Sequence, residues 1–294
     1  MAFRVEAYPE AGQPGFAVLR RDADDDDFEL QVYEECGFFN ATRFCVLSGR
    51  DYEDYARQPR SRDLDASLGP KFGYCLSLSP EKLELEHTSP AAGTYVHLFK
   101  LLDVACWLSN ELYVKCALAA GHFFLGSPAR PEQLRVTLKI GDEEAPVDAV
   151  VDERRKIRRV GYAGAEFLAD EDGLVNASKL RGPDGPRVAL DGCADAGHVS
   201  DALRRYLGEL QPVRCERGSG DSPAPADGTY VHPLVAVRAL LWLGAAEYAR
   251  LANVIFSVFW KLDAALAAAA EKHETETFAA GSSGAKDRPT HGDW

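Results

Sequence analysis

The chain has 294 residues, 46% hydrophobic and 10% aromatic, with 33 Lys and Arg against 46 Asp and Glu for a net charge of −13. That apolar fraction excludes disorder throughout, and the length suits one large or two modest domains. Both halves are acidic, so a surface for phosphate has to be local, with the acids elsewhere.

Charge from Arg4 onward argues against a signal peptide. Phe3–Val5 and Phe16–Leu19 are candidates for an opening hairpin, and the acidic run Asp22–Asp27 for a solvated loop. Phe28, Leu30 and Val32 alternate with polar residues as a half-buried strand does, and Glu34–Gly37 turns the chain back into Phe38-Phe39. Asn40 then suits a helix N-cap, its side-chain oxygen accepting from an orphan N–H, with the helix starting at Ala41. Ser109 caps a helix over 110–124 with Leu112, Cys116, Ala119 and Phe123 at helical spacing. Val136, Leu138 and Ile140 alternate, Gly141-Asp142 turns, and Val147, Ala149 and Val151 alternate back, which predicts a hairpin opening a second domain. Phe167 and Ala169 lead into a turn at Asp170–Gly173, Leu174-Val175 returns, and Asn176 caps a helix predicted from Ala177. Tyr248, Ala252, Ile255, Phe256 and Phe259 form a last helical stripe. Each of the two striped helices is expected to pack on its own sheet and Trp. The apolar stretches Leu101–Leu125 and Ala239–Leu262 are cut by charges and read as buried helices rather than membrane spans. From Glu271 the chain carries few apolar groups and reads as a disordered tail.

These elements repeat. Gly37-Phe38-Phe39-Asn40-Ala41-Thr42-Arg43 aligns with Gly173-Leu174-Val175-Asn176-Ala177-Ser178-Lys179, since positions 40 and 176 differ by 136. Gly93-Thr94-Tyr95-Val96-His97 recurs identically at Gly228–His232, and Trp107 and Trp242 follow each His by ten residues, both at an offset of 135. Three markers in one order at nearly one spacing read as a tandem duplication. The expected domains are residues 1–130 and 131–270, with 271–294 as the tail.

Few patterns carry chemistry. There is no P-loop, Gly-x-Gly-x-x-Gly, Gly-x-Ser-x-Gly or His-Glu-x-x-His, so no enzyme is expected and no cofactor. Seven cysteines without a Cys-x-x-Cys pair read as reduced thiols and give no metal site. His97 and His232 read as packed or capping residues, and Trp107 and Trp242 as core anchors. At Asn40 and Asn176, a hydroxyl (Thr42, Ser178) and a cation (Arg43, Lys179) follow in the first turn. Either they meet a phosphate there, or the Asn simply caps and the cation is solvated. Arg50, Arg57, Arg60, Arg62 and Lys71 follow the first element among acids. Arg154–Arg159 precedes the second, and Arg181 and Arg187 follow it.

The order of strand, turn and Asn-Ala-Thr-Arg-Phe-Cys, then Ser48–Tyr52 with Tyr55-Ala56-Arg57, Gly-Thr-Tyr-Val-His and a Trp-bearing helix resembles the KilA-N domain. It is most similar to that of poxviruses and other large DNA viruses, over residues 28–125 and more loosely 160–262. The resemblance implies an α+β fold: two tandem KilA-N-like domains, each a small antiparallel sheet or hairpins packed with helices. It implies a viral protein that binds DNA, the viral genome, mainly through phosphate contacts in viral factories of the host cytoplasm. A hydroxyl and a cation retained at equivalent positions of both copies make the expected contacts Asn40, Thr42, Arg43, Arg50 and Arg57, with Asn176, Ser178, Lys179 and Arg181 as a second set. The Asn residues would fix the helix start. The ubiquitin-ligase activity of RING-bearing relatives is not carried over, because a second copy stands where that module would lie. Leu98 departs from the Pro usual after the His, whereas Pro233 fits, and Gly182–Pro186 replaces Gly49–Tyr52. The alternative is a protein-interaction module that keeps the fold and targets a host or viral protein, which the acidic charge favours.

Overall fold

The computed structural model describes residues 3–8, 14–21, 27–73, 75–127, 130–138, 147–154, 156–162, 165–180, 194–207, 213–216 and 227–261. The first half runs β1 (Phe3–Ala7), β2 (Phe16–Arg21), β3 (Glu29–Tyr33), β4 (Phe38–Asn40), α1 (Ala41–Leu47), α2 (Tyr52–Ala56), α3 (Pro59–Phe72), β5 (Ser77–Leu78), β6 (Tyr95–Val96), α4 (Leu98–Leu108), α5 (Asn110–Leu125) and α6 (Arg130–Thr137). The second runs β7 (Val147–Asp152), β8 (Ile157–Tyr162), β9 (Ala165–Ala169), β10 (Val175–Asn176), α7 (Ala194–Leu207), β11 (Val213–Glu216), β12 (Gly228–Val231), α8 (Pro233–Leu243) and α9 (Ala245–Phe259). The fold mixes antiparallel sheets with helices.

The two sheets share one topology. The first has the order β1-β2-β3-β4-β6-β5 and the second β7-β8-β9-β10-β12-β11. In both, the Gly-Thr-Tyr-Val strand lies against the short strand ending in Asn, pairing Asn40 with Tyr95 and Asn176 with Tyr230. Phe3–Val5 and Phe16–Leu19 do form a hairpin, as the pattern predicts. The hairpin predicted over 136–151 is not formed among the described residues, where its first strand is part of α6; Ile140 and the turn at Gly141-Asp142 lie outside them. Val136 is the exposed side of α6, while Leu134 and Leu138 are buried. Positions 134 and 138 are four apart, a spacing that also satisfies alternation, and the helical period prevails. β7 pairs instead with β8, so Arg158 and Arg159 of the basic run lie on the returning strand.

The halves do not pack separately. α3 lies against α9 and α7 against α5, so the stripe of α9 meets the other half as well as its own β9, contrary to the sequence expectation. Phe99 of α4 meets Tyr248 edge-on at 5.6 Å and Phe256 at 5.9 Å, within one hydrophobic core drawn from both halves. Each such ring contributes roughly 1.5–3 kcal/mol by leaving water.

Two hydrogen bonds fix this junction. Tyr113 donates to the Leu234 carbonyl at 2.8 Å and Tyr248 to the Phe99 carbonyl at 3.0 Å. Both hydroxyls are fully buried. Tyr113→Phe and Tyr248→Phe should each cost about 1 kcal/mol, by nearly equal amounts, in urea denaturation. A loss confined to one of the two would show that the contacts are not equivalent.

Candidate nucleic-acid interface

Asn40 leaves β4 in an extended conformation and caps α1, its Oδ1 accepting from the Arg43 N–H at 2.9 Å. Its Nδ2 donates to Gln31 Oε1 at 3.0 Å and to the Ala91 carbonyl at 3.2 Å. The side chain is fully buried. Thr42 Oγ1 accepts from the Thr94 N–H at 3.0 Å, and the Ala41 N–H donates to the Thr94 carbonyl at 2.9 Å. The Asn-Ala-Thr turn is thus bolted to the Gly-Thr-Tyr-Val strand, which explains why the two motifs travel together in the sequence.

The second half repeats the bolt. Ser178 Oγ accepts from the Thr229 N–H at 2.9 Å, and Asn176 Nδ2 donates to the Asp227 carbonyl at 3.4 Å. The helix predicted from Ala177 is only a three-residue 3₁₀ turn, Ala177–Lys179, with no side-chain cap bond from Asn176. So short a turn has almost no macrodipole, and even α1 is seven residues long; any anion contact rests on the side-chain cations.

Two predicted contacts are therefore corrected. Asn40 and Asn176 are both 0% exposed and serve the turn, out of a ligand's reach. Thr42 and Ser178 are half-buried and already accept from the neighbouring strand. Their hydroxyl protons are the only donors they can still offer.

The predicted cations divide by environment. Arg43 is 42% exposed with its Nε 3.8 Å from a Glu29 carboxylate oxygen. Lys179 is exposed. Arg50 is exposed and lies over Trp107, 4.4 Å from the ring centroid, a cation–π contact that fixes its direction. Arg57 is exposed beside Asp54 at 3.7 Å. Arg181 lies outside the described residues. Two cations leave the first cluster altogether. Arg60 ties the buried carboxylate of Asp103, which also accepts from the Tyr55 hydroxyl at 2.8 Å. Lys71 donates to the Arg250 carbonyl and to Asn253 on α9, and its burial lowers its pKa to about 8.

Trp107 is a half-buried anchor, flanked by Tyr55 at 5.8 Å. Trp242 is 53% exposed, so the core-anchor reading fails there. In the first half the cover is Arg50 and Tyr55, which follow α1; the corresponding stretch after Lys179 lies outside the described residues.

The strings do end in capping histidines. His97 Nδ1 accepts from the Phe99 N–H and His232 Nδ1 from the Leu234 N–H, each at 3.2 Å. Burial lowers the His232 pKa from 6.5 to about 4. The folded protein thus holds this ring neutral where the unfolded chain would protonate it. Its contribution is complete above pH 6.5 and is lost as pH falls towards 4, worth roughly 3 kcal/mol over that window. His232→Asn, which keeps a capping oxygen, should flatten that acid loss in denaturation series at several pH values. An unchanged acid loss in the variant would place its cause elsewhere.

Sequence reading missed Lys115. An open groove of about 460 Å³ is lined by residues of α1 and of the α4–α5 corner, Phe44 and Leu112 among the apolar ones and Arg50, Lys115, Asp27 and Glu29 among the polar ones. Leu47 on its edge is 45% exposed. Lys115 is four residues from Glu111 on α5, and that Glu111 spacing masked it as an intrahelical pair.

Burial raises the thiol of Cys45 to about 12 and that of Cys36 to about 11, which leaves them protonated and poorly nucleophilic near neutrality. Among the described residues, no group of three or more His, Cys, Asp or Glu could hold a metal ion, and no helix is long and apolar enough to cross a membrane.

Comparison with known proteins places this geometry. Residues 24–119 match the KilA-N domain. The chain is 30% identical over 122 residues to KilA-N domain-containing protein 006L of Invertebrate iridescent virus 6, covering 40% of this chain and 35% of that protein. It is 30% identical over 107 residues to protein 313L of the same virus, covering 34% and 29%. A KilA-N domain-containing protein L32 of Acanthamoeba polyphaga mimivirus is 28% identical over 81 residues, covering 28% and 22%. The chain thus spans about a third or less of the length of these relatives. No solved structure matches it. The matched region takes in β3, β4, the capped turn at Asn40, the Gly-Thr-Tyr-Val-His string and most of α5, so the first half of this chain is similar to the KilA-N domains of proteins from large DNA viruses.

Proposed function

We propose that the chain is a non-enzymatic, viral DNA-binding protein of two tandem KilA-N-like domains, residues 1–130 and 131–270. It would bind mainly through phosphate, acting at viral replication sites in the host cytoplasm. The observation that carries this reading is the bolted turn placing an accessible cation, Arg43 or Lys179, at the same position beside each sheet. The shared order of the two sheets supports the duplication. Contacts from Arg43, Arg50 and Lys179 to phosphate orient a duplex without reading its bases. They supply cationic contacts despite the net charge of −13. The test is an electrophoretic shift of duplex DNA at low salt. The full chain should retard the duplex, and Arg43→Glu with Lys179→Glu should weaken binding at least tenfold. Equal binding by the double variant would overturn the proposed contacts.

One observation favours a second reading, a protein-interaction module. Val46 and Leu47 are 56% and 45% exposed beside the groove, and Glu29 stands against Arg43. If the chain ignores DNA at low salt, captures one stoichiometric protein partner, and loses it on Leu47→Asp, this reading replaces the first.

A further inference from the structure

The contacts across the junction of the halves are reciprocal. Under the repeat offset of 135, Tyr113 corresponds to Tyr248 and Phe99 to Leu234. Tyr113 bonds the carbonyl of 234, and Tyr248 bonds the carbonyl of 99. The same offset relates α3 to α7 and α5 to α9. α3 packs on α9, and α7 packs on α5. A third pair agrees: Lys71 reaches the carbonyl of Arg250, while position 206, its counterpart, carries a tyrosine under the ammonium of Lys115, the counterpart of 250.

When i meets j′ and j meets i′, the interface is isologous and its symmetry operator is a two-fold axis. A head-to-tail packing of two copies would give one set of contacts without its mirror. The chain therefore has the internal symmetry of a homodimer, with both copies on one polypeptide.

We infer that the nucleic acid this chain takes is a duplex engaged at two half-sites of opposite direction, with the internal two-fold of the protein laid on a dyad of the DNA. This rests on the DNA-binding reading above. A two-fold protein makes equivalent contacts to a duplex only when the half-sites are inverted about that dyad, which is why dimeric binders favour palindromic sites. The bolted turns carrying Arg43 and Lys179 occupy equivalent positions of the two copies, so their contacts are inverted with respect to each other. A single chain meets both half-sites, and no second chain is required.

The test uses the full chain. Duplexes of fixed sequence are shortened to the shortest that still binds. That duplex is then footprinted with hydroxyl radicals on both strands, and the complex is weighed in solution. The expected result is one chain per duplex, with protections on one strand reproducing those on the other when read in reverse about the centre. Protections repeated in one direction, a single protected cluster or two chains per duplex would overturn the inverted arrangement. Salt-sensitive binding that persists in any of those cases leaves the DNA-binding reading standing, whereas no binding at low salt removes both.

Discussion

Replacing Arg60 by alanine is expected to destabilise the protein by about 3–5 kcal/mol, the cost of removing one partner of a buried ion pair. Asp103 on α4 has a fully buried side chain. Its Oδ1 accepts from Arg60 Nε at 2.8 Å and from the guanidinium Nη2, and its Oδ2 accepts from Tyr55. Without Arg60 the carboxylate keeps one neutral donor in an apolar interior. The reverse change is milder. The Arg60 side chain is 43% exposed and can turn to water, so Asp103→Ala should cost less than Arg60→Ala. The pair also bears on the candidate site, because Tyr55 flanks Trp107 and Trp107 carries Arg50. Urea denaturation at neutral pH measures both variants. A cost below about 1 kcal/mol for Arg60→Ala, or the opposite ranking, would contradict this account of the α3–α4 joint.

Gly93→Ala is expected to be nearly as damaging. Gly93 has φ +156, in a region that is almost confined to glycine. A Cβ there would lie 2.3 Å from Asn40 Oδ1. That oxygen cannot retreat, because the Asn40 side chain is held by Arg43 N–H, Gln31 and the Ala91 carbonyl. Backbone strain and overpacking together should cost about 3 kcal/mol. Gly228→Ala repeats the collision, 2.4 Å from Asn176 Oδ1. Asn176 makes no side-chain cap bond to its turn, so its side chain should yield more cheaply and the loss should be smaller. Thermal or urea unfolding of the two variants decides the ranking. Wild-type stability in Gly93→Ala would mean that the bolted turn is loosely held.

What the sequence disclosed was local. Asn40 as cap, the turn at Glu34–Gly37, the cap at Ser109 and the capping histidines are all set by side chains within four residues of their partners, so spacing revealed them. The repeat disclosed the matching sheets for the same reason. The misreadings have non-local causes. Arg60 looked like one more cation of a mixed run because its partner, Asp103, is 43 residues away. Val136 looked like strand because alternation and helical spacing coincide over so few residues. The exchange of α3 and α7 between halves depends on packing across the whole chain, and no periodicity records it. Burial of Asn40 was hidden because capping explains the residue whether or not solvent reaches it.

The most direct test of the central claim is the salt dependence of duplex binding by the full chain, followed by fluorescence anisotropy. For phosphate-dominated binding, the logarithm of the association constant falls linearly with the logarithm of salt, by about 0.9 per phosphate neutralised. Arg43→Glu with Lys179→Glu removes two cationic contacts, so the account predicts a slope shallower by about 2. A slope near zero in the wild type, or one unaltered in the double variant, would contradict it.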